Sequence, residues 1–155
     1  MGSTCKAMTL AMGLDAGMTL DTRFDARMPL RFGKFNIHDY HAQNRLLSIP
    51  EIFTYSSNIG AARVALKVGV EEHKAFLKKL GQLDRLKTEL PESREPMVPK
   101  RWGELNTVTI SFGHGLSVEP LQAGVGVAGP VHGGRLTPPA FLQRTAAATT
   151  DLGPR

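Results

Sequence analysis

The sequence predicts a mainly α-helical domain with little β-sheet. Apolar or small residues recur at helical spacing in residues 3–16, 57–68 and 70–80. Only "LRFGKFNI" indicates a short strand or hairpin, through an imperfect alternation of apolar side chains. The chain has 155 residues, 41% of them hydrophobic and 21% charged, which is the size and composition of one globular domain.

The first predicted helix spans residues 3–16 and ends at Gly17, a residue type that is common just past a helix. A loop-rich segment follows over residues 18–50 and contains the predicted hairpin. Pro50 is placed to open a helix over residues 50–55, because proline is favoured in a first turn. The apolar or small residues that give the first helix its period are Ala7, Leu10, Ala11 and Leu14.

Two further helices are predicted in the middle of the chain, over residues 57–68 and 70–80, and Gly81 is expected to end the second. Residues 83–107 contain three prolines and are expected to form an irregular segment on the surface. The side chains expected to be buried are Ile59, Ala62, Ala65 and Leu66 in the first helix and Phe76, Leu77 and Leu80 in the second.

The C-terminal part opens with "NTVTISFGHG", in which polar and apolar residues alternate before a glycine turn. Pro120 predicts another helix, and this helix carries Gly124, Gly126 and Gly129. Each glycine costs up to about 1 kcal/mol relative to alanine in a helix interior. We therefore expect this helix to be either tightly packed or marginally stable. Residues 143–155 are predicted to form an irregular tail.

Composition narrows the function classes. The net charge is +5, but the densest basic run, residues 78–87, has no interleaved aromatics and indicates a solvated helix face rather than a nucleic-acid site. The single cysteine, Cys5, excludes an internal disulfide and a cysteine zinc cluster, and is interpreted as a packing residue.

No apolar run is long enough for a membrane helix, and no signal peptide is visible. His38 and His41 would form a metal pair on one helix face, but no third ligand accompanies them, so surface histidines are favoured.

Ser3 and Lys6, in "GSTCK", open the first helix three residues apart and therefore on one face. A serine hydroxyl is a weak nucleophile unless a base takes its proton. A lysine is such a base when burial or a neighbouring cation lowers its pKa. The alternative is that Ser3 caps the helix and Lys6 points to water, and this motif alone favours that alternative.

A second polar motif, "YSSNIGAARVAL", places Ser56, Ser57 and Asn58 at the head of an apolar helix. A helix cap needs only one such residue, and here there are three. In a site with Ser3 and Lys6, the first serine can relay a proton and the asparagine amide can hold a substrate carbonyl.

Together, "GSTCK", "YSSNIGAARVAL" and "TISFGHGLSVEPLQA" resemble the transpeptidase domain of class B penicillin-binding proteins, and among these the division-specific peptidoglycan D,D-transpeptidases. The resemblance extends over nearly all of residues 2–142. It implies a mainly α fragment of an α+β penicillin-binding/serine β-lactamase-like transpeptidase fold, with most of the central sheet missing. Residues 1–142 would be a partial transpeptidase domain, and residues 143–155 the irregular tail.

The resemblance also implies roles and partners. Ser3 would be the acylated nucleophile, Lys6 its general base, Ser56 the proton relay and Asn58 a ligand of the substrate amide. No metal or organic cofactor is implied, because the protein supplies nucleophile and base. The implied partners are peptidoglycan stem peptides, β-lactams and divisome proteins including a membrane glycosyltransferase, with no nucleic acid. The implied location is the inner membrane, facing the periplasm, although this chain shows no signal or anchor.

The family's third motif, Lys-Thr-Gly or Lys-Ser-Gly, does not occur in the 155 residues. Without its lysine, Lys6 lacks a neighbouring cation, and its pKa is expected to rise toward an ordinary value. Two interpretations stay open: a serine-type transpeptidase that retains acylation chemistry, or a catalytically inactive remnant or interaction module. If the site assignment is right, Ser3 and Lys6 should lie within hydrogen-bonding reach, or one water, of Ser56 and Asn58.

Overall fold

The structure, a computed structural model, describes residues 1–143 and 150–151. Within these residues there are six helices of 6–12 residues, and the strands have two or three residues each. In chain order the elements are α1 (Thr4–Asp15), β1 (Arg23–Asp25), β2 (Leu30–Phe32), β3 (Phe35–Ile37), β4 (Leu46–Ser48), α2 (Ile49–Thr54), α3 (Asn58–Val68), α4 (Val70–Lys79), α5 (Glu104–Ser111), α6 (Pro120–Val131), β5 (Arg135–Leu136) and β6 (Thr150–Asp151).

The described strands form three antiparallel pairs, β1 with β4, β2 with β3, and β5 with β6. The pair β2–β3 is the hairpin predicted from "LRFGKFNI", with Leu30 opposite Ile37 and Gly33 in the turn at φ +56°. Within the predicted irregular tail, residues 150–151 form β6 against β5. The rest of that tail beyond residue 143 lies outside the described residues.

Helix α3 lies at the centre and packs against α1 and α5. Its alanines at 61, 62 and 65 are fully buried, and such small side chains permit close approach of neighbouring helices. Helix α1 lies between two apolar clusters and contributes Leu10 to one and Met8 to the other. The position of α1, and therefore of Ser3 and Lys6, is fixed from two sides.

Helix α2 begins where β4 ends, and a capping box fixes its start. The Ser48 hydroxyl accepts from the Glu51 N–H, and the Glu51 carboxylate accepts from the Ser48 N–H at 2.8 Å. That carboxylate also pairs with Arg45 at 2.7 Å, and these hydrogen bonds lower the pKa of Glu51 to about 2. The helix and its predicted Pro50 opening lead directly to the turn that carries Ser56.

The apolar residues of α1 divide between the core and an open groove. The face toward the core carries Cys5, Met8, Leu10 and Met12, whereas Ala7 and Ala11 are half-buried and Leu14 is 41% exposed. The predicted apolar period is present, and its residues Ala7, Ala11 and Leu14 border the groove. The other apolar residues of this groove are Leu20, Ile49, Phe53 and Val131.

Two expectations were wrong, one for residues 83–107 and one for Leu66. Helix α5 begins inside the segment predicted to be irregular, because the Gly103 N–H bonds to Asn106 Oδ1 at 2.9 Å and Trp102 Nε1 donates to Thr107 Oγ1 at 2.8 Å. Leu66 is only half-buried.

The favoured interpretation of His38 and His41 as surface histidines is confirmed. Both side chains are exposed, and their segment between β3 and β4 is not helical.

Helix α6 is tightly packed at one of its glycines and open at another. A Cβ on Gly126 would overlap the Gln82 amide and lie 3.0 Å from Met8 Sδ, whereas a Cβ on Gly124 meets no atom within 4 Å. Gln82 is fully buried and its amide donates to the carbonyl of Gln122 at 2.9 Å, so it cannot swing aside freely.

Exchanging each of these glycines for alanine should have opposite effects. Gly126→Ala should lower the free energy of unfolding by about 1–3 kcal/mol through overpacking. Gly124→Ala, on the same helix, should raise it by up to about 1 kcal/mol through helix propensity. Urea unfolding followed by circular dichroism measures both. Equal stability of the two variants would show that α6 does not pack as described.

His73 on α4 is expected to make the free energy of unfolding depend on pH. The side chain is 1% exposed, its ring meets the Trp102 ring edge-on at 5.9 Å, and its Nδ1 has no hydrogen-bond partner. Burial lowers the pKa of His73 to about 4, from an ordinary value of 6.5.

Because the folded pKa is below the unfolded one, the stability linked to His73 is fully present above pH 6.5 and is lost as the pH falls toward 4. The loss should approach about 3 kcal/mol in the free energy of unfolding. In His73→Gln the difference between pH 7 and pH 4.5 should shrink. His41→Gln, at an exposed histidine, should keep it. An unchanged difference in His73→Gln would contradict the assignment.

Candidate active site

Ser3, Lys6 and Ser56 meet at one point of the structure. Ser3 immediately precedes α1, Lys6 lies in the first turn of α1, and Ser56 lies in the turn between α2 and α3. The Lys6 amine is 3.2 Å from Ser3 Oγ and 2.8 Å from Ser56 Oγ, and the two hydroxyls are 3.0 Å apart. The three polar atoms therefore form a closed triangle in which any pair can exchange a proton.

This geometry excludes the alternative of a capping serine and a solvated lysine. Ser3 occupies the N-cap position of α1, but its side chain makes no capping hydrogen bond. Lys6 is only 3% exposed. Its amine also donates to the Ser56 carbonyl at 2.7 Å, so all three donors of a protonated amine have acceptors.

Ser57, not Ser56, caps the next helix. The Ser57 hydroxyl accepts from the Gly60 N–H at 2.9 Å, at the start of α3. Ser56 is left exposed, with a left-handed backbone at φ +53°, which is uncommon outside glycine and asparagine. One serine of the pair therefore builds the helix, and the other faces Lys6.

The expected proximity of Ser3 and Lys6 to Ser56 is confirmed. Asn58 behaves differently: its side-chain amide donates to the carbonyl of His38 at 2.9 Å. Its hydrogen bonds in the described structure include none to Ser3 or Lys6. The half-exposed Asn58 therefore lies at the edge of the site, and its role toward a substrate stays a prediction.

Asp39 is a residue of this site that sequence reasoning missed. It lies between β3 and β4, and its carboxylate accepts from Ser57 Oγ at 2.6 Å and from the Ile59 N–H at 2.9 Å. It therefore holds the start of α3 from outside the helix. Because the partners are 18 and 20 positions apart, no local spacing rule in the sequence indicates this contact.

Burial sets the proton affinity of Lys6. Desolvation lowers the pKa of the Lys6 amine below its ordinary 10.5, and the negative charge of Asp39 acts in the opposite direction. Burial therefore lowers the pKa of Lys6 without a neighbouring cation, and the expected rise relative to a site that has the third-motif lysine stays a prediction. A neutral Lys6 amine has a lone pair within reach of the Ser3 hydroxyl and can take its proton.

Comparison with known proteins decides the family. The family model for the penicillin-binding protein transpeptidase domain matches residues 1–154. The chain belongs to this family. The fold brings together Ser3, Lys6 and Ser56, the three residues predicted to be catalytic from the resemblance, and their catalytic roles stay a prediction.

Relatives of this family member carry transpeptidase names. The chain is 41% identical over 139 residues to the probable peptidoglycan D,D-transpeptidase FtsI of Caulobacter vibrioides, covering 89% of this chain and 24% of that protein. It is 28% identical over 123 residues to the peptidoglycan D,D-transpeptidase FtsI of Escherichia coli strain K12, covering 78% of this chain and 21% of that protein. The chain thus spans about a quarter of the length of the curated relatives it matches.

Solved structures show the same fold. A peptidoglycan glycosyltransferase from Burkholderia ambifaria matches with a TM-score of 0.89 at 23% identity, over 97% of this chain and 50% of that one. The apo TP domain of penicillin-binding protein 3 from Burkholderia pseudomallei matches with a TM-score of 0.88 at 24% identity, over 97% and 47%. The α+β transpeptidase fold is confirmed, and the described residues are its helix-rich portion.

Residues 1–143 and 150–151 contain neither a membrane-spanning helix nor a metal-binding cluster. No helix there is both long and apolar enough to cross a bilayer. No group of three or more histidine, cysteine or acidic side chains in the same residues is arranged to hold a metal ion.

The Lys6 amine should titrate below pH 10.5 in the folded chain. Carbon-13 labelling of the lysine side chains and an NMR pH titration measure this midpoint, and the signal absent from Lys6→Met identifies Lys6. Because its folded pKa lies below the unfolded value, the unfolded chain binds more protons between the two. The free energy of unfolding should therefore rise with pH in that window. A Lys6 midpoint at or above 10.5 would contradict a desolvated amine.

Proposed function

We propose that the chain carries the acylation centre of a peptidoglycan D,D-transpeptidase that acts in septal cell-wall synthesis and cell division. The observation that carries the proposal is the contact of a buried lysine amine with two serine hydroxyls, at 3.2 and 2.8 Å. Its support also includes family membership and the transpeptidase names of relatives that extend well beyond this chain.

The acylation step follows from the positions of the three groups. Ser3 Oγ attacks the carbonyl carbon of the penultimate D-alanine, while the neutral Lys6 amine takes the hydroxyl proton. The C–N bond to the terminal D-alanine then breaks. Ser56 Oγ, 2.8 Å from the Lys6 amine, donates its proton to the departing nitrogen and takes one from the protonated Lys6. D-Alanine leaves with a neutral amine, and an ester joins the peptide to Ser3.

Transfer reverses the proton path. An acceptor amine attacks the acyl carbon of the ester, and the bond between that carbon and Ser3 Oγ breaks. Ser3 Oγ regains the proton that the attacking amine loses. A β-lactam enters by the same first step, since Ser3 opens its cyclic amide. Its nitrogen stays tethered to the acyl group, so the leaving group cannot depart.

The position of Ser3 favours a developing oxyanion. Ser3 precedes the first turn of α1, a helix of 12 residues, whose N-terminal end carries partial positive charge. Negative charge that forms beside Ser3 is therefore stabilised by the helix dipole, typically by about 0.3–1 kcal/mol near a surface. Asn58, at the edge of the site, is the proposed ligand of the substrate amide.

The partners and the location follow from the family. Peptidoglycan stem peptides and β-lactams are the proposed ligands, and divisome proteins including a membrane glycosyltransferase are the proposed partners. The proposed location of the whole protein is the periplasmic side of the inner membrane.

A second candidate function is favoured by one sequence observation. No Lys-Thr-Gly or Lys-Ser-Gly motif occurs in the 155 residues. In the family this motif pairs with the substrate peptide and contributes to the oxyanion hole. The alternative is therefore a chain without turnover, a catalytically inactive remnant or an interaction module that keeps the helical surface.

A fluorescent penicillin separates the two functions. If the first is right, the purified chain should acquire a covalent label, seen after denaturing electrophoresis and as one added mass per chain. Ser3→Ala should abolish the label, because the ester oxygen is gone. Ser117→Ala, at another exposed serine, should keep it. A folded wild-type chain that stays unlabelled would support the inactive alternative.

A further inference from the structure

The backbone of Gly113 lies directly against the backbone that precedes the proposed nucleophile. Gly113 follows the C-terminal end of α5 and has φ +101°. A Cβ built on it would overlap the carbonyl oxygen of Gly2 and lie 2.5 Å from both the Gly2 carbonyl carbon and nitrogen. No side chain fits there unless Gly2 moves.

Gly2 in turn fixes the start of α1. Its carbonyl accepts from the Cys5 N–H at 3.1 Å, and the neighbouring Ser3 carbonyl accepts from the Lys6 N–H at 3.1 Å. These bonds close the first turn of the helix. A displacement of Gly2 therefore moves Ser3 relative to the Lys6 amine.

The turn that presents Gly113 is itself anchored. The Gly113 N–H donates to Ile110 O at 3.0 Å, and the buried Thr9 hydroxyl donates to the carbonyl of buried Ser111 at 2.8 Å. Thr9 lies on α1, about one turn after Lys6. The end of α5 is therefore tied to the same helix whose first residues it contacts.

We propose that Gly113 is a positioning residue for Ser3, and this inference rests on the proposed transpeptidase function. Its backbone forms a rigid stop behind Gly2 and holds the exposed Ser3 where its hydroxyl meets both Lys6 and Ser56. Glycine is required there for two reasons, the positive φ and the absence of space for a Cβ.

A matched pair of variants separates these two reasons. Gly113→Ala adds both the strain of a positive φ and the collision with Gly2. Gly69→Ala, between α3 and α4, adds similar strain at φ +99° but its Cβ would meet no atom within 4 Å. Two readouts are measured on the full chain. The first is acylation by penicillin, which gives the rate constant at saturation and the dissociation constant of the initial non-covalent complex. The second is the rate of hydrogen exchange at the Cys5 amide.

In Gly113→Ala, acylation at saturating penicillin should slow by about 100-fold, the effect of a misplacement near 1 Å, with little change in initial binding. Exchange at the Cys5 amide should become faster. Gly69→Ala should leave both readouts near wild type. If the two variants lose acylation equally, or if Gly113→Ala changes neither readout, the positioning role is overturned.

Thr9→Val keeps the test decisive should Gly113→Ala not fold. This change removes the hydrogen bond to the Ser111 carbonyl at nearly constant side-chain volume. It should slow acylation and accelerate hydrogen exchange at Cys5, as Gly113→Ala does, but by smaller factors. If neither readout changes, the proposal is overturned. A wild-type chain that penicillin does not acylate would instead refute the proposed function. In that case hydrogen exchange at Cys5 still tests whether Gly113 holds Gly2 in place. Faster exchange in Gly113→Ala than in Gly69→Ala would support that contact, and equal exchange would overturn it.

Discussion

The burial of the Lys6 amine is the constraint on which the site depends. An amine removed from water loses its hydration and must find acceptors within the protein. Ser3 Oγ, Ser56 Oγ and the Ser56 carbonyl supply them, all within 3.2 Å. The same contacts that make burial tolerable place an amine beside a hydroxyl, so one arrangement serves both folding and the acylation step proposed above.

Much of the surrounding structure serves to hold these acceptors in place. Ser56 presents its carbonyl and hydroxyl together because its backbone is left-handed, and such a conformation persists only where neighbours impose it. On the α3 side, the Ser57 cap and the Asp39 carboxylate hold the residue that follows Ser56. On the α2 side, the N–H groups of Ser56 and Ser57 donate to the carbonyls of Phe53 and Ile52 at 3.1 and 3.0 Å. Helix α1 is held between two apolar clusters, and Lys6 in its first turn is only 3% exposed.

The sequence predicted features that depend on local spacing and missed those that depend on distant partners. Helices α1, α3 and α4 follow from apolar period, and the β2–β3 hairpin from alternation around a glycine. The start of α5 depends on Trp102 and Thr107, whose contact has no periodic sign. In the site, the resemblance of the motifs to a known family predicted that Ser3, Lys6 and Ser56 lie together, and the structure confirms their proximity. The burial of Lys6 and the role of Asp39 depend on contacts across 50 and 18 positions, which spacing does not reveal.

A double-mutant cycle on Lys6 and Ser56 tests this account most directly. The free energies of unfolding of wild type, Lys6→Met, Ser56→Ala and the double variant give the coupling between amine and hydroxyl. The strain of alanine at φ +53° occurs in both Ser56→Ala chains and cancels. A coupling energy of about 0.5–3 kcal/mol is predicted for groups in direct contact. Additivity within about 0.3 kcal/mol would contradict the claim that Lys6 and Ser56 form one unit.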